Sequence, residues 1–190
     1  MIKKIWKWFW RPAPMAWGAI FIIGGFAGVF FLAGSIGLVK YTSTESFCIS
    51  CHEMETTVFQ EYKKSAHYNN ASGVRATCTD CHVPRAWGPK LVKKIRASND
   101  VYHTILGTIN TPEKFEAKRF ELATRVWDTM IKTDSRECRE CHIQDAMDFT
   151  KQGRRASKKM QESFEIGDKT CIECHQGLVH KLPKDPNADD

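Results

Sequence analysis

The sequence lacks any alternating run of apolar and polar residues long enough to form a β-strand, so sheet architectures are excluded and a mainly α fold is predicted. It also lacks a concentrated basic face. The formal charge is +6 and the pI is about 8.9, but residues 41–190 contain 23 Lys and Arg against 22 Asp and Glu, a formal charge of only +1. Most of the positive charge therefore lies near the N-terminus, and no nucleic acid is expected as a partner.

No cysteine lies outside four copies of the pentapeptide C-x-x-C-H. The pattern is typical of attachment sites for c-type haem, where two thiols bond to the porphyrin and the adjacent histidine reaches the iron from one face. The sequence therefore predicts four covalently bound haem c groups and a role in electron transfer. The predicted attachment residues are Cys48, Cys51, Cys78, Cys81, Cys138, Cys141, Cys171 and Cys174, and the motif histidines are His52, His82, His142 and His175.

Two other uses of paired cysteines compete with haem attachment. Closely spaced cysteines also build tetrahedral zinc sites, and in an exported domain they can form disulfides. Neither use requires a histidine directly after the second cysteine, yet that histidine follows all four pairs. Haem attachment is therefore favoured over both.

Charge is missing from Pro12 to Val39, and Met15–Val39 is predominantly apolar. A membrane-spanning helix needs about 20 such residues, whereas the apolar part of a cleaved signal peptide has about 7–15, so a retained transmembrane helix is predicted over residues 15–39. Gly24 and Gly28 form a G-x-x-x-G pair that favours a homodimer through this helix.

The orientation follows from the flanks of this helix. Residues 1–14 carry basic and tryptophan side chains without an acid, so the positive-inside rule predicts that they form a cytoplasmic flank. Residues 41–180 are then a periplasmic tetrahaem domain outside the bacterial inner membrane, and residues 181–190 are predicted to be a disordered tail.

Outside two predicted helices, the haem domain has little apolar sequence of its own. One helix is expected from Pro89 to Leu106 and the other from Pro112 to Ile131, because apolar residues recur there at near-helical spacing behind proline start signals. The porphyrins must supply much of the remaining core. The expected architecture is one membrane helix followed by a haem-packed domain of helices and loops, which should be poorly folded without haem.

Low-spin c-type haems commonly bind a second axial ligand, either histidine or methionine. The candidates outside the pentapeptides are Met54, His67, His103 and His180, four side chains for four haems. The motifs also form a faint repeat, because the third follows the first by 90 residues and the fourth follows the second by 93. This spacing suggests two haem pairs arranged as a duplicated unit.

The exported domain resembles the NapC/NirT/NrfH family of membrane-anchored tetrahaem cytochromes, and the NapC branch most of all. The pieces that carry the resemblance are FCISCHEM, HYNNASGVRATCTDCHVP, LVKKIRASND, GTINTPEKFEAKR, SRECRECH and KTCIECHQGLVHKLP. It implies a quinol dehydrogenase that takes electrons from membrane menaquinol or ubiquinol. The electrons would pass to a periplasmic reductase, with nitrate reductase favoured over nitrite and N- or S-oxide reductases.

The resemblance also implies roles for individual residues. Met54 matches a methionine that binds the first haem iron in part of the family, which leaves open whether His52 binds it too. The family's quinol-site lysine and acid match Lys93 or Lys94 and Asp100. Gln161 stands where related proteins have a ligating histidine. His103 is therefore a candidate for the missing ligand.

A rival role for His103 follows from helical spacing. Lys93, Arg96, Asp100 and His103 fall on one stripe of the predicted helix. In a quinol pocket, Asp100 would accept protons, a lysine would orient the quinol oxygen, and His103 would relay protons outward. The alternative to an enzyme is a passive conduit, a membrane-tethered cytochrome that only relays electrons between proteins.

Overall fold

The computed structural model describes residues 2–9 and 17–186. These residues belong to two separate units, which meet in the chain between Thr42 and Ser43. Within the described residues the regular structure is entirely helical. The mainly α fold predicted from the sequence is confirmed.

The first unit contains two helices, α1 (Ile2–Phe9) and α2 (Trp17–Tyr41). Residues 18–41 of α2 are long and apolar enough to cross a membrane, and no other described helix is. A helix is thus present over the described part of the predicted span and continues to Tyr41, and residues 15 and 16 lie outside the described residues. The Cβ positions of Gly24 and Gly28 face open space.

Two long helices dominate the second unit, and both were predicted. The first, α6, extends over Trp87–Ile105, and Gly107 follows it with a left-handed φ of 67°. The second, α7, extends over Pro112–Lys132. Its N-cap residue Thr111 accepts a hydrogen bond from the backbone N–H of Lys114 through its side chain, at 3.3 Å.

Shorter elements surround α6 and α7. In chain order they are α3 (Glu45–Cys48), a π-helical turn (Met54–Val58), α4 (Phe59–Tyr62), α5 (Cys78–His82), α8 (Arg136–Arg139), two 3₁₀ turns (Gln144–Ala146 and Phe149–Lys151), α9 (Arg154–Ile166) and α10 (Cys171–Cys174). Helix α9 was not predicted from the sequence, because its residues are mostly polar and few of its apolar side chains are large. It ends at Gly167, whose φ of 69° suits a glycine C-cap.

The polypeptide buries few apolar side chains. Among the described residues, the buried ones are Tyr62, Ile109, Phe115 and Met130. The apolar side chains of α6 remain largely exposed, including Ile95 (73%) and Ile105 (79%). A domain of this length normally needs a larger core, so packing within the polypeptide does not account for its stability.

Candidate haem centres

The first cysteine of each C-x-x-C-H motif lies in a short helical turn. The second and fourth motifs, on α5 and α10, begin with capping boxes. Asp80 Oδ2 accepts a hydrogen bond from the backbone N–H of Thr77 at 2.8 Å, and Glu173 Oε2 accepts one from the N–H of Thr170 at 2.6 Å. The shared pattern Thr-Cys-x-acid-Cys-His therefore has a local cause, since it satisfies otherwise free N–H groups at the start of the turn.

Consecutive motifs lie beside one another in chain order. The first two motifs meet where α3, which carries Cys48, packs against α5, which carries Cys78. Arg85, just beyond the second motif, contacts Glu140 of the third with Nε at 2.7 Å from Oε2. The hydroxyl of Ser135, before the third motif, accepts a hydrogen bond from the N–H of Ile172 in the fourth at 3.1 Å. The motifs thus form a continuous series.

Two motif histidines face a second imidazole. The ring centroids of His82 and His180 are 6.2 Å apart with planes at 32°, and those of His67 and His142 are 6.1 Å apart with planes at 76°. Two imidazoles bound to opposite faces of one iron, each with an iron–nitrogen bond of about 2 Å, have ring centroids about 6 Å apart. The residues present therefore fit haem iron between the rings.

The protonation state of these rings agrees with that use. Loss of solvent around the ring, together with the charges of His180 and Lys93, lowers the pKa of His82 to about 4. Burial likewise lowers the pKa of His180 and of His67. Neutral imidazole is the form that binds a metal ion, so these rings need not lose a proton first.

The other candidate ligands have different surroundings. Met54 begins the π-helical turn immediately after the first motif. His103 Nδ1 lies 3.0 Å from the hydroxyl of Thr108, at the end of its own helix. His175 is exposed, and none of the other six histidines, all within the described residues, forms a ring pair with it. The amide of Gln161 donates to Ser157 Oγ at 2.9 Å, within its own helix.

The predicted quinol-site residues lie on α6 beside the first two motifs. The charge of Lys93 acts on the ring of His82, and that of Lys94 acts on the Cys48 thiol. Burial lowers the pKa of Lys94. Asp100 is exposed on the same helix.

Sequence reasoning missed a buried acid at this place. Glu53 is only 3% exposed, and it lies between the candidate ligands His52 and Met54. Its carboxylate accepts a hydrogen bond from the hydroxyl of Thr104, four residues beyond Asp100 on α6. The end of α6 is thereby attached to the first motif. A signal was available in the string CHEM, where a charged residue separates two candidate ligands.

A second missed group is the buried guanidinium of Arg119 on α7, which is 6% exposed. It forms ion pairs with Glu61 of α4 and Glu116 of α7 at 2.8 and 2.6 Å. Only the pair with Glu116 has a sequence signal, because the two residues are three apart on a predicted helix.

The geometry does not support the two competing uses of cysteine. All eight cysteines are described and unpaired, so none forms a disulfide. Residues 2–9 and 17–186 contain no group of three or more His, Cys, Asp or Glu side chains placed to hold a metal ion. Four protein ligands are the rule at a structural zinc site, whereas haem attachment requires only the pentapeptide and its axial ligands.

Comparison with known proteins identifies the family of this chain. The family described as "NapC/NirT cytochrome c family, N-terminal region" matches residues 11–185. Cytochrome c-type protein NapC of Escherichia coli K12 is 48% identical over 183 residues, covering 96% of this chain and 91% of its own. Denitrification system component NirT of Stutzerimonas stutzeri is 49% identical over 173 residues, covering 91% and 86%.

Cytochrome c-type protein TorC of Escherichia coli K12 is 44% identical over 185 residues, which are 96% of this chain and 47% of TorC. No solved structure matches the chain significantly. The extent of these matches shows that the chain belongs to the NapC/NirT cytochrome c family, and it is a membrane-anchored tetrahaem cytochrome that passes electrons to a periplasmic reductase.

Proposed function

We propose that the protein oxidises membrane quinol, either menaquinol or ubiquinol, and that nitrate reductase is the periplasmic acceptor of the electrons. The observation that carries the quinol site is the position of α6 beside the first two motifs, with Lys94 near Cys48 and Thr104 bonded to Glu53. The likeness to a denitrification system component supports an acceptor that acts on nitrogen oxides.

The proposed chemistry is assigned to the polar side chains of α6. Oxidation of a quinol releases two electrons and two protons, so the site needs proton acceptors. Asp100 is exposed and can take a proton from the quinol hydroxyl and exchange it with water. Lys93 or Lys94, both half-buried, is proposed to orient the quinol oxygen. His103 is proposed as a relay, because its ring bonds to Thr108 of the same chain segment.

The ring pairs support an assignment of axial ligands. We assign His180 to the iron of the second motif, which His82 holds, and His67 to the iron of the third, which His142 holds. Met54 and His52 are the candidates at the first motif, and His175 is the protein ligand at the fourth. Haem bound at these positions supplies one-electron redox chemistry.

The topology proposed for this function has one membrane span. The basic residues before α2 favour a cytoplasmic N-terminus, which leaves the haem domain in the periplasm. Of the predicted tail, residues 181–186 contain no helix or strand, and residues 187–190 lie outside the described residues. The open faces of Gly24 and Gly28 leave room for a second α2 helix, so a homodimer through the membrane is also proposed.

Reduction of the holoprotein in liposomes by a quinol analogue tests this function. The haem α-band should rise on addition of the quinol, and Asp100→Asn should slow that rise by about 10²–10⁴-fold, the usual contribution of general acid–base catalysis. Asp128→Asn, at an exposed acid on α7, is the matched control and should leave the rate unchanged. Dithionite should reduce all three proteins fully. Absence of quinol-driven reduction in the wild type would instead favour the passive conduit.

A further inference from the structure

His180 contains a buried polar atom that lacks a hydrogen-bond partner. Its Nδ1 is inaccessible to solvent and makes no hydrogen bond within the described residues. The nearest charged acceptor is Oε2 of Glu61 at 3.8 Å, and the backbone carbonyl of Val58 also faces the ring. A separation of 3.8 Å is too long for a hydrogen bond, which requires about 2.7–3.2 Å.

Binding of iron changes what this atom needs. A histidine that binds a metal through one ring nitrogen carries a proton on the other, and that N–H is almost always donated to a carboxylate, a backbone carbonyl or water. If Nε2 of His180 binds iron, Nδ1 becomes a buried donor. A shift of about 1 Å would bring it into hydrogen-bond distance of Glu61.

Glu61 is held in place from two sides. Arg119 donates hydrogen bonds to both carboxylate oxygens of Glu61, with Nη2 at 2.8 Å from Oε1 and Nη1 at 3.0 Å from Oε2. The backbone N–H of Lys181, next to His180 in the chain, donates to Oε2 at 3.0 Å. The carboxylate therefore contacts both α7 and the segment that carries His180. Such a bidentate pair fixes the orientation of the acid as well as its position.

The charge of the cluster also favours this role. Arg119 is paired with Glu61 and with Glu116, whose Oε2 lies 2.8 Å from Nε. The charge of Lys181 also acts on Glu116, so the carboxylate that brings negative charge to the His180 ring is that of Glu61, with Oε2 3.8 Å from Nδ1. Negative charge at this edge stabilises the more positive, oxidised state of an iron bound to the ring.

We propose that Glu61 is the positioning residue for His180: it accepts the Nδ1–H, selects the tautomer with Nε2 directed to iron, and lowers the reduction potential of the haem at the second motif. The inference rests on the proposed ligation of that iron by His180. Arg119 acts through Glu61, since it holds the carboxylate against α7 and the C-terminal segment.

The test compares Glu61→Gln with Glu116→Gln in the holoprotein. Glutamine keeps the shape of Glu61 and an oxygen for Arg119 and Lys181, but it removes the charge. One of the four haem redox components should then shift upward, with the reduced-to-oxidised ratio at fixed potential rising about three- to tenfold. A tenfold rise corresponds to about 59 mV for one electron. The low-temperature EPR g-values of one low-spin signal should change as well.

Glu116→Gln is the matched control, because it removes the other carboxylate bound to Arg119, while Glu61 keeps its positions beside His180 and the Lys181 backbone N–H. It should leave every haem potential and EPR signal within error of the wild type. If Glu61→Gln fails to incorporate four haems, Glu61→Asp tests the proposal in its place. Its shorter side chain keeps the negative charge but moves it away from the His180 ring. It should produce a smaller shift in the same direction.

His180→Ala separates failure of this inference from failure of the ligand assignment. Loss of one low-spin EPR signal in His180→Ala, combined with unchanged potentials in Glu61→Gln, would overturn the role of Glu61 and leave the Val58 carbonyl as the acceptor. Unchanged EPR signals in His180→Ala would overturn the ligation of iron by His180, on which the inference depends. An equal shift in Glu61→Gln and Glu116→Gln would show a general effect of the Arg119 cluster and also contradict the proposal.

Discussion

The carboxylate of Glu53 accepts a hydrogen bond from the hydroxyl of Thr104, and this contact attaches the end of α6 to the first haem motif. The acid is buried, so its oxygen has little access to water as an alternative partner. The same hydroxyl lies 3.1 Å from the backbone carbonyl of Asp100, one turn earlier on α6. The contact therefore joins the first motif to the helix that carries the proposed proton acceptor.

We expect Thr104→Val to destabilise the holoprotein. Valine has the shape of threonine but no hydroxyl, so it leaves a buried carboxylate oxygen without its donor, at a cost of about 1–3 kcal/mol in the free energy of unfolding. Chemical denaturation followed by circular dichroism measures this change. Thr129→Val is the control, because Thr129 is exposed and bonds only to the Arg125 carbonyl of its own helix. Equal losses in both variants would contradict the structural role of the Glu53 contact.

Ser135 makes a comparable connection between the third and fourth motifs. It is completely buried, and its hydroxyl accepts the N–H of Ile172 at 3.1 Å. Ser135→Ala leaves that N–H unpaired, so we expect the free energy of unfolding to fall by about 1–3 kcal/mol. Ser98→Ala should have little effect, because that exposed hydroxyl donates only to the Ile95 carbonyl within its own helix. Thermal denaturation of both holoproteins compares them, and no loss for Ser135→Ala would show the contact to be unimportant.

The helices that the sequence predicted have local signals at their ends. Thr111 and Pro112 mark the start of α7, and Gly107 follows α6, so both helices were found within two residues of their predicted limits. The missed helix α9 does carry apolar residues at helical spacing, with Ala156, Met160 and Phe164 each four residues apart. Only two of these side chains are large, and no proline or Ser/Thr start signal like that of α7 precedes them, so the segment was not recognised as a helix.

The haem motifs could also be identified from a local signal in the sequence, because haem attachment depends on five consecutive residues. The imidazole pairs were not, because His67 and His142 come from distant parts of the chain and meet only through folding. The contact between Glu61 and Arg119 is equally remote in sequence. Such contacts depend on how α4 and α7 pack, which local periodicity does not encode.

The two ring pairs predict which histidines determine the spin state of the haems. We expect His67→Ala to convert one low-spin haem to high-spin, because it removes the imidazole that faces His142. His103→Ala should leave all low-spin signals in place if His103 relays protons, and it should remove one if His103 replaces the ligand missing at Gln161. Low-temperature EPR measures both variants. An unchanged spectrum for His67→Ala would contradict the proposed ligand of the third motif.

Haem attachment should also decide whether the second unit folds. The described residues bury only four apolar side chains, and a folded domain of this size needs far more apolar burial to offset the entropy of the unfolded chain. We therefore expect the apoprotein, produced without haem attachment, to lose cooperative thermal unfolding. Limited proteolysis should cleave its haem domain rapidly, while the matched holoprotein resists under the same conditions. A cooperative transition in the apoprotein would show that the polypeptide alone holds α6 and α7 together, and the four haems would then not be required for the fold.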